Sequence, residues 1–261
     1  MGLKRRLSGI LGPPDVDEVF MLYRLIGSKP GVMIDVGAHQ GNSLDPFLSR
    51  GWQGYAFEPD PANRAILRNR CPKAVIDPRA VSEVDGEQVP LFTSEVSTGI
   101  STLSPFHRTH TPTTTVETVR LDTYIQANGI GQVDFLKSDV EGFDLAVLRT
   151  FPWKTHLPKA VVCEFEDRKT KLLGHNVHDI ARYLQRQGYA VLVSEWEPIV
   201  EYGSRHKWKR FEHYPVDLTS DSWGNLIAVE PSLRPRLEKI ARATPTRVRV
   251  RRWIDRARGV A

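Results

Sequence analysis

Cysteine is scarce in this 261-residue chain: there are two, Cys71 and Cys163. That excludes a disulfide framework, and the pair has no zinc-binding spacing. Both sit in or beside apolar runs, as buried reduced thiols do, which suits a reducing cytosol. Long apolar runs are also lacking. No uninterrupted stretch approaches the length that spans a bilayer. The basic start Met1-Gly2-Leu3-Lys4-Arg5-Arg6-Leu7 has no apolar core of signal-peptide length behind it. The expectation is a cytoplasmic protein, at most peripheral to the inner face of a membrane. Repeats at solenoid periods are absent, and so is the Gly-x-Gly-x-x-Gly loop that serves a pyrophosphate, which disfavours a nicotinamide cofactor.

What the chain has is 40% apolar and 26% charged composition, enough for one sizeable core. Its net charge of +5 is uneven. Arg234, Arg236, Lys239, Arg242, Arg247, Arg249, Arg251, Arg252, Arg256 and Arg258 crowd the C-terminal stretch against only Glu238 and Asp255. The positive charge therefore belongs to the tail and not to the core. Three regions are expected: an N-terminal helical segment (1–30), a central domain (31–230) and a basic C-terminal extension (231–261).

Between these limits strands alternate with helices, the pattern of a mostly parallel sheet covered on both faces. Expected helices run over 15–26, with Asp15 as N-cap, and over 43–49, 61–70, 121–126, 144–150 and 177–187. Expected strands run over 32–36, 54–57, 74–76, 87–92, 116–120, 133–137, 160–165, 189–194 and 225–229. The Ser-, Thr- and Pro-rich stretch 94–115 reads as a loop of functional length.

The chemistry concentrates at strand ends. The first strand ends in Asp35 and enters a loop with Gly37 and Gly41, where missing Cβ atoms let a ligand lie against the backbone and helix N–H groups follow. The second ends in Glu58, placed to accept from both ribose hydroxyls. Strand, glycine loop and ribose-reading acid in this order point to an adenosine-type cofactor.

Asp35-Val36-Gly37-Ala38 with Gly41, Phe57-Glu58-Pro59, Leu121-Asp122-Thr123-Tyr124 and, most specifically, Lys137-Ser138-Asp139-Val140-Glu141-Gly142 resemble the FkbM family of S-adenosylmethionine-dependent methyltransferases. Ala80-Val81-Ser82 with Asp85-Gly86, Gly99 to Leu103 and Trp223 to Ala228 fit it as well. The resemblance covers about half the chain. It implies a Rossmann-like seven-stranded sheet, S-adenosyl-L-methionine as donor and usually a hydroxyl as acceptor, here a sugar, glycan or other polyhydroxylated metabolite. By position, Asp35, Gly37, Ala38 and Gly41 would line the methionine half, Glu58 the ribose, and Ala80, beside Arg79, the adenine; Asp139 lies near the sulfonium. His39-Gln40 departs from the family pattern.

Methyl transfer is an in-line displacement, so the acceptor must be aligned and its proton taken. Asp139 and Glu141 are candidates for both tasks. The bland alternative is that Glu141-Gly142 caps the next helix. His107, with His110, sits in the long loop and is a further candidate base, against a plain reading as exposed loop histidines. Glu164 and Glu166 end a strand on the same edge and could meet acceptor hydroxyls or, with Asp139, a divalent ion; no metal is expected, because nothing fixes a ligand geometry. Trp196, Trp208, Phe211, His213, Tyr214 and Trp223, interleaved with Arg205, Lys207, Lys209 and Arg210, suit a sugar, a lipid-linked substrate or stacked RNA, or else pack the last sheet edge. The basic tail could be a solvated, partly disordered extension, or helices that meet an anionic membrane, or a nucleic-acid contact. The alternative function is thus a nucleic-acid-binding protein or an RNA methyltransferase.

Overall fold

The computed structural model describes residues 12–202 and 204–257. Met1–Arg6, with the rest of the N-terminal stretch, and Arg258 lie outside them. Strands β1 (Val32–Val36), β2 (Gln53–Phe57), β3 (Val75–Asp77), β7 (Phe135–Ser138), β8 (Ala160–Glu166), β9 (Ala190–Trp196), β10 (Trp208–His213) and β11 (Trp223–Val229) form one sheet in the order β10-β9-β11-β8-β7-β1-β2-β3. Pairing is parallel from β3 to β8, and β11 runs antiparallel to both β8 and β9. This is the expected sheet with an eighth strand, β10, added antiparallel to β9. Short β4 (Ala80–Val81) joins β5 (Gln88–Ser94) and β6 (His110–Val119) in a second, three-stranded sheet.

Period-two alternation divides the core. Ile34, Leu136, Val161 and Cys163 face one cluster with Ile180 and Leu184 of α7 (Val177–Arg186). Met33, Phe135, Ala160 and Val162 face another with Leu22 of α1 (Glu18–Ile26) and Leu237 of α8 (Arg234–Ala257). Strands buried on both faces carry near-continuous apolar runs, as β1 and β8 do. The remaining helices are α2 (Asp45–Leu48), α3 (Pro61–Arg70), α4 (Leu121–Ala127), α5 (Asp144–Thr150) and α6 (Asp167–Thr170).

Helix α1 starts later than its sequence pattern suggests. Its N-cap is Asp17, whose carboxylate accepts from Phe20 N at 2.7 Å. Asp15 instead pairs with Arg205 and Arg252. The expected 43–49 helix shrinks to one turn with Pro46 near its start. Residues 110–115 are not loop: threonines and a proline pair with β5 across a bulge.

The basic tail is a helix laid on the domain. Leu237, Ala241, Thr244 and Val248 are buried, and Leu237 and Ala241 share a core cluster with α1. Its arginines bond the preceding chain: Arg236 donates to Leu25 O (3.1 Å), Arg247 to Pro13 O (2.9 Å), Arg251 to Gly12 O (3.1 Å) and Arg252 to Pro14 O (2.8 Å). Among the described residues, no helix is long and apolar enough to cross a membrane. Because Leu237 is 1% exposed, Leu237→Ala is expected to lower stability by about 2–5 kcal/mol, read as an earlier urea midpoint with an unchanged m-value.

Candidate active site

The carboxyl ends of β1, β2, β7 and β8 open onto a cavity of about 220 Å³. Its walls include Gly37, His39, Glu58, Asn63, Arg79, Ala80, Asp139, Glu141 and Glu164, with apolar contributions from Val36, Phe57, Val81, Leu91 and Phe143. A parallel sheet brings these loops to one edge because every crossover returns its chain to the same end.

The floor is a clamp between two loops. Lys137, on β7, reaches Gly37 O at 3.1 Å, Asp35 Oδ1 at 3.1 Å and Asp139 Oδ2 at 3.5 Å. Burial alone would lower the pKa of Lys137, but Asp35 and Asp139 outweigh it and the net shift is upward. Asp35 is fully buried, accepts from Ser43 Oγ, and does not line the cavity. Its role here is to hold the clamp and the loop.

The glycines of that loop serve the chain itself. Both have left-handed φ, +78° at Gly37 and +82° at Gly41. A Cβ on Gly37 would come within 1.9 Å of Asp139 O, and one on Gly41 within 2.7 Å of Leu67 and 2.8 Å of Cys71 Sγ. So the missing Cβ atoms make room for β7's loop and for α3, and Gly37 also lines the cavity. Ala38 is buried, at the back of an adjoining cleft with Gly37, His39 and Asp139.

Glu58 faces the cavity with its oxygens already oriented. Oε2 accepts from His39 N at 2.7 Å and Oε1 from Asp60 N at 2.9 Å. Burial pushes its pKa up to about 7, against the opposing pull of those two N–H groups. His39, the departure noted in the sequence, holds a left-handed φ of +49°, and its ring meets Thr98 Oγ1 at 3.0 Å. Asn63 donates to Thr98 O (2.9 Å) and Ser101 to Asp60 Oδ2 (3.1 Å). These contacts draw the 98–104 loop over the cavity.

At the other end lies an acid cluster around one buried cation. Lys169, on α6, is 3% exposed and contacts Glu141 Oε2, Glu164 Oε2 (3.1 Å) and Glu166 Oε2 (2.8 Å). Phe106 and Tyr202 present their rings to it at 5.1 and 5.9 Å. Burial raises the pKa of Glu141 to about 7 despite Lys169, and also raises that of Glu164, with Glu141 adding repulsion. Glu141 has a left-handed φ of +57°, uncommon for a non-glycine residue and concentrated at functional sites. It does not cap α5: the N-cap is Phe143 and the Glu141 side chain turns to Lys169. Carboxylate oxygens of Asp139, Glu141 and Glu164 lie within 4.8 Å of one another, a spacing a metal ion could use. Lys169 already supplies a cation to two of the three.

His107 is not brought to the cavity. Its Nδ1 bonds Thr109 Oγ1 at 2.7 Å and its ring packs on Tyr202. His110, the first residue of β6, is also engaged locally, accepting from Phe106 N and His107 N and meeting Ile100 O. Lys169 and Asn63 went unnoticed in the sequence. Neither sits in a motif, and only the fold brings them to the edge.

With this geometry in place, comparison with known proteins identifies the chain. Residues 35–191 match the family model of the methyltransferase FkbM domain. The chain belongs to the FkbM methyltransferase family. S-adenosylmethionine is therefore its cofactor, and the class I methyltransferase sheet is its fold. No curated protein matches the sequence. Among solved structures, the FkbM chain is similar to a precorrin-6y C5,15-methyltransferase from Geobacter metallireducens (13% identity, 82% of this chain and 88% of that one, TM-score 0.41). It is also similar to an O-methyltransferase from Bacillus cereus in complex with SAH (12%, 87% and 88%, 0.42) and to an rRNA methylase from Streptococcus thermophilus (9%, 82% and 97%, 0.42).

Two expectations follow for this FkbM domain. Gly37 and Gly86 share a left-handed φ (+78° and +75°), but a Cβ on Gly86 meets nothing within 4 Å. Both alanine variants carry the backbone cost of roughly 1–2 kcal/mol; Gly37→Ala should lose about 1–3 kcal/mol more through overpacking, read by comparing urea midpoints. Glu58 titrates near pH 7 in the folded protein. Its charged form favours a cationic ligand with hydroxyl donors, so S-adenosylmethionine affinity should fall as pH drops through 7. Glu58→Gln should bind more weakly at pH 8 and lose most of that slope in titration calorimetry.

Proposed function

We propose that the protein transfers a methyl group from S-adenosylmethionine to a hydroxyl of a sugar, glycan or other polyhydroxylated metabolite. The observation that carries this reading is the cavity itself, where Glu58 stands at one end and Asp139, Glu141 and Glu164 at the other. The donor carries positive charge, and an acid-walled, half-enclosed cavity suits it. Glu58 would hold the ribose hydroxyls. The β1 loop at Gly37 and the Asp139 carboxylate would hold the methionine half. Val81, Leu91 and Phe57, beside Ala80, offer apolar surface for the base. When bound, the donor supplies an electrophilic methyl group.

The chain's own residues then have to place a nucleophilic oxygen and receive its proton. Glu141 suits that work: it is buried, its pKa lies near neutrality, and it faces the cavity. Lys169 positions it together with Glu164, and the second carboxylate can accept from a neighbouring hydroxyl. Paired acceptors suit a substrate with several hydroxyls better than an isolated one. The loop tied down at Thr98 and Ser101 limits water at the reacting centre. Nucleic acid on the basic tail finds less support, since several arginines there donate to carbonyls of residues 12–25.

Calorimetry with S-adenosylhomocysteine tests the donor half: the wild type should bind one equivalent, and absence of binding removes the basis of the reading. With sugar acceptors in hand, Glu141→Gln should lower kcat by about 10²–10⁴ while donor binding changes little. Equal loss of donor affinity would move Glu141 from proton transfer to cofactor binding.

A further inference from the structure

Away from the cavity, a second groove of about 620 Å³ lies between α8 and the β9–β10 edge. Arg205, Lys207, Arg249 and Arg252 line it, with Asp15 as the one acid in the wall. Arg205 (2.6 Å) and Arg252 both pair with that single carboxylate. Lys207 and Arg249 form no ion pair among the described residues, and both are exposed. Four cations against one anion leave a strong positive field in a concave site, which favours a multiply charged anion. With Val16, His206, Pro245 and Val248, Trp196 and Trp208 also line it. Their indole N–H groups donate inward, to Glu18 Oε1 (2.9 Å) and Ser194 Oγ (3.2 Å).

Sheet register connects this groove to the acid cluster. Glu166 pairs with Trp223, Trp223 with Trp196, and Trp196 with Trp208. The four side chains thus stand in one row on the carboxyl edge of β8. Trp196 and Trp223 rings lie 5.6 Å apart, and His206 packs on Trp223 at 4.9 Å. Three strand steps of ~4.8 Å separate the carboxylates from the basic groove by roughly 14 Å. A row of aromatic faces suits sugar rings or other flat groups along the way.

Resting on the reading of a polyhydroxylated acceptor, we infer that this groove binds a phosphate or diphosphate group carried by the acceptor, while the row of tryptophans supports the part between it and the methylated hydroxyl. Nucleoside diphosphates and lipid diphosphates share that chemistry.

Full-length wild type and the double variant Lys207→Glu/Arg249→Glu would be titrated at about 150 mM salt, where weak surface attraction is screened. Probes are inorganic pyrophosphate, uridine diphosphate and vesicles of phosphatidylglycerol in phosphatidylcholine, with tryptophan fluorescence as readout. S-adenosylhomocysteine binding is measured in parallel on both proteins. Saturable binding of pyrophosphate or uridine diphosphate, weakened at least about tenfold by the double reversal with S-adenosylhomocysteine binding retained, supports a soluble diphosphate carrier. Saturable vesicle binding lost in the same way supports a lipid carrier. Binding of none of the probes, or binding unaffected by the reversal, overturns the inference. So does binding of single-stranded RNA without binding of either diphosphate probe. If S-adenosylhomocysteine binds and the groove does not, the inference fails while the methyltransferase reading stands.

Discussion

The contact on which the site depends is the buried ammonium of Lys137. It joins Asp35 at the end of β1, the carbonyl of Gly37 in the first loop and Asp139 in the loop after β7. A cation this deep is tolerable only with matched carboxylates, and removing one partner would leave an uncompensated charge. The same junction explains Gly37, since the two loops approach closer than any side chain permits. Asp139 is thereby fixed at the cavity rim, still 41% exposed in its side chain. Strand ends, glycine and acid form one device: the protein first builds a rigid floor and the ligand-facing groups follow from it.

Charge is then distributed along the cavity. Glu58 sits near one end, oriented by two backbone N–H groups and raised toward neutrality by burial. Glu141 and Glu164 sit near the other, buried and drawn together by Lys169. Glutamates crowded this way would repel and protonate without the lysine. Against burial, Lys169 holds Glu166 below the usual carboxylate range, while burial raises Glu141. Left-handed backbone at His39, beside Glu58, and at Glu141, in the acid cluster, places strain at both ends of the cavity. These features make the edge of the sheet a site for a cationic donor and a hydroxyl acceptor under the proposed function.

Much of this arrangement was legible in the chain. Buried parallel strands announce themselves as apolar runs, and Pro61 and Thr150 bound α3 and α5 where the pattern placed them. Asp35, Gly37, Glu58, Asp139 and Glu141 were readable because each lies at or just after a strand end. What failed was tertiary in origin. Asp15 has the chemistry of an N-cap but is held by Arg205 and Arg252, so Asp17 takes the position. Thr- and Pro-rich residues 110–115 look like loop, yet β5 supplies them with a ladder. His107 has the right chemistry, but its loop folds it onto Tyr202. The tail's spaced apolar residues suit a helix, but its charge points to an anionic surface, whereas Leu237, Ala241 and Val248 are buried on the domain itself. Lys169 is one lysine among many until β8 and the Glu141 turn converge on it.

The most direct test of the account is a structure of the protein with S-adenosylhomocysteine bound. The account predicts ribose hydroxyls on the Glu58 carboxylate, the sulfur facing the Asp139–Glu141 end, and the Lys137 clamp unchanged. A ligand seated elsewhere, or in the cavity with Glu58 turned away from its ribose, would contradict it.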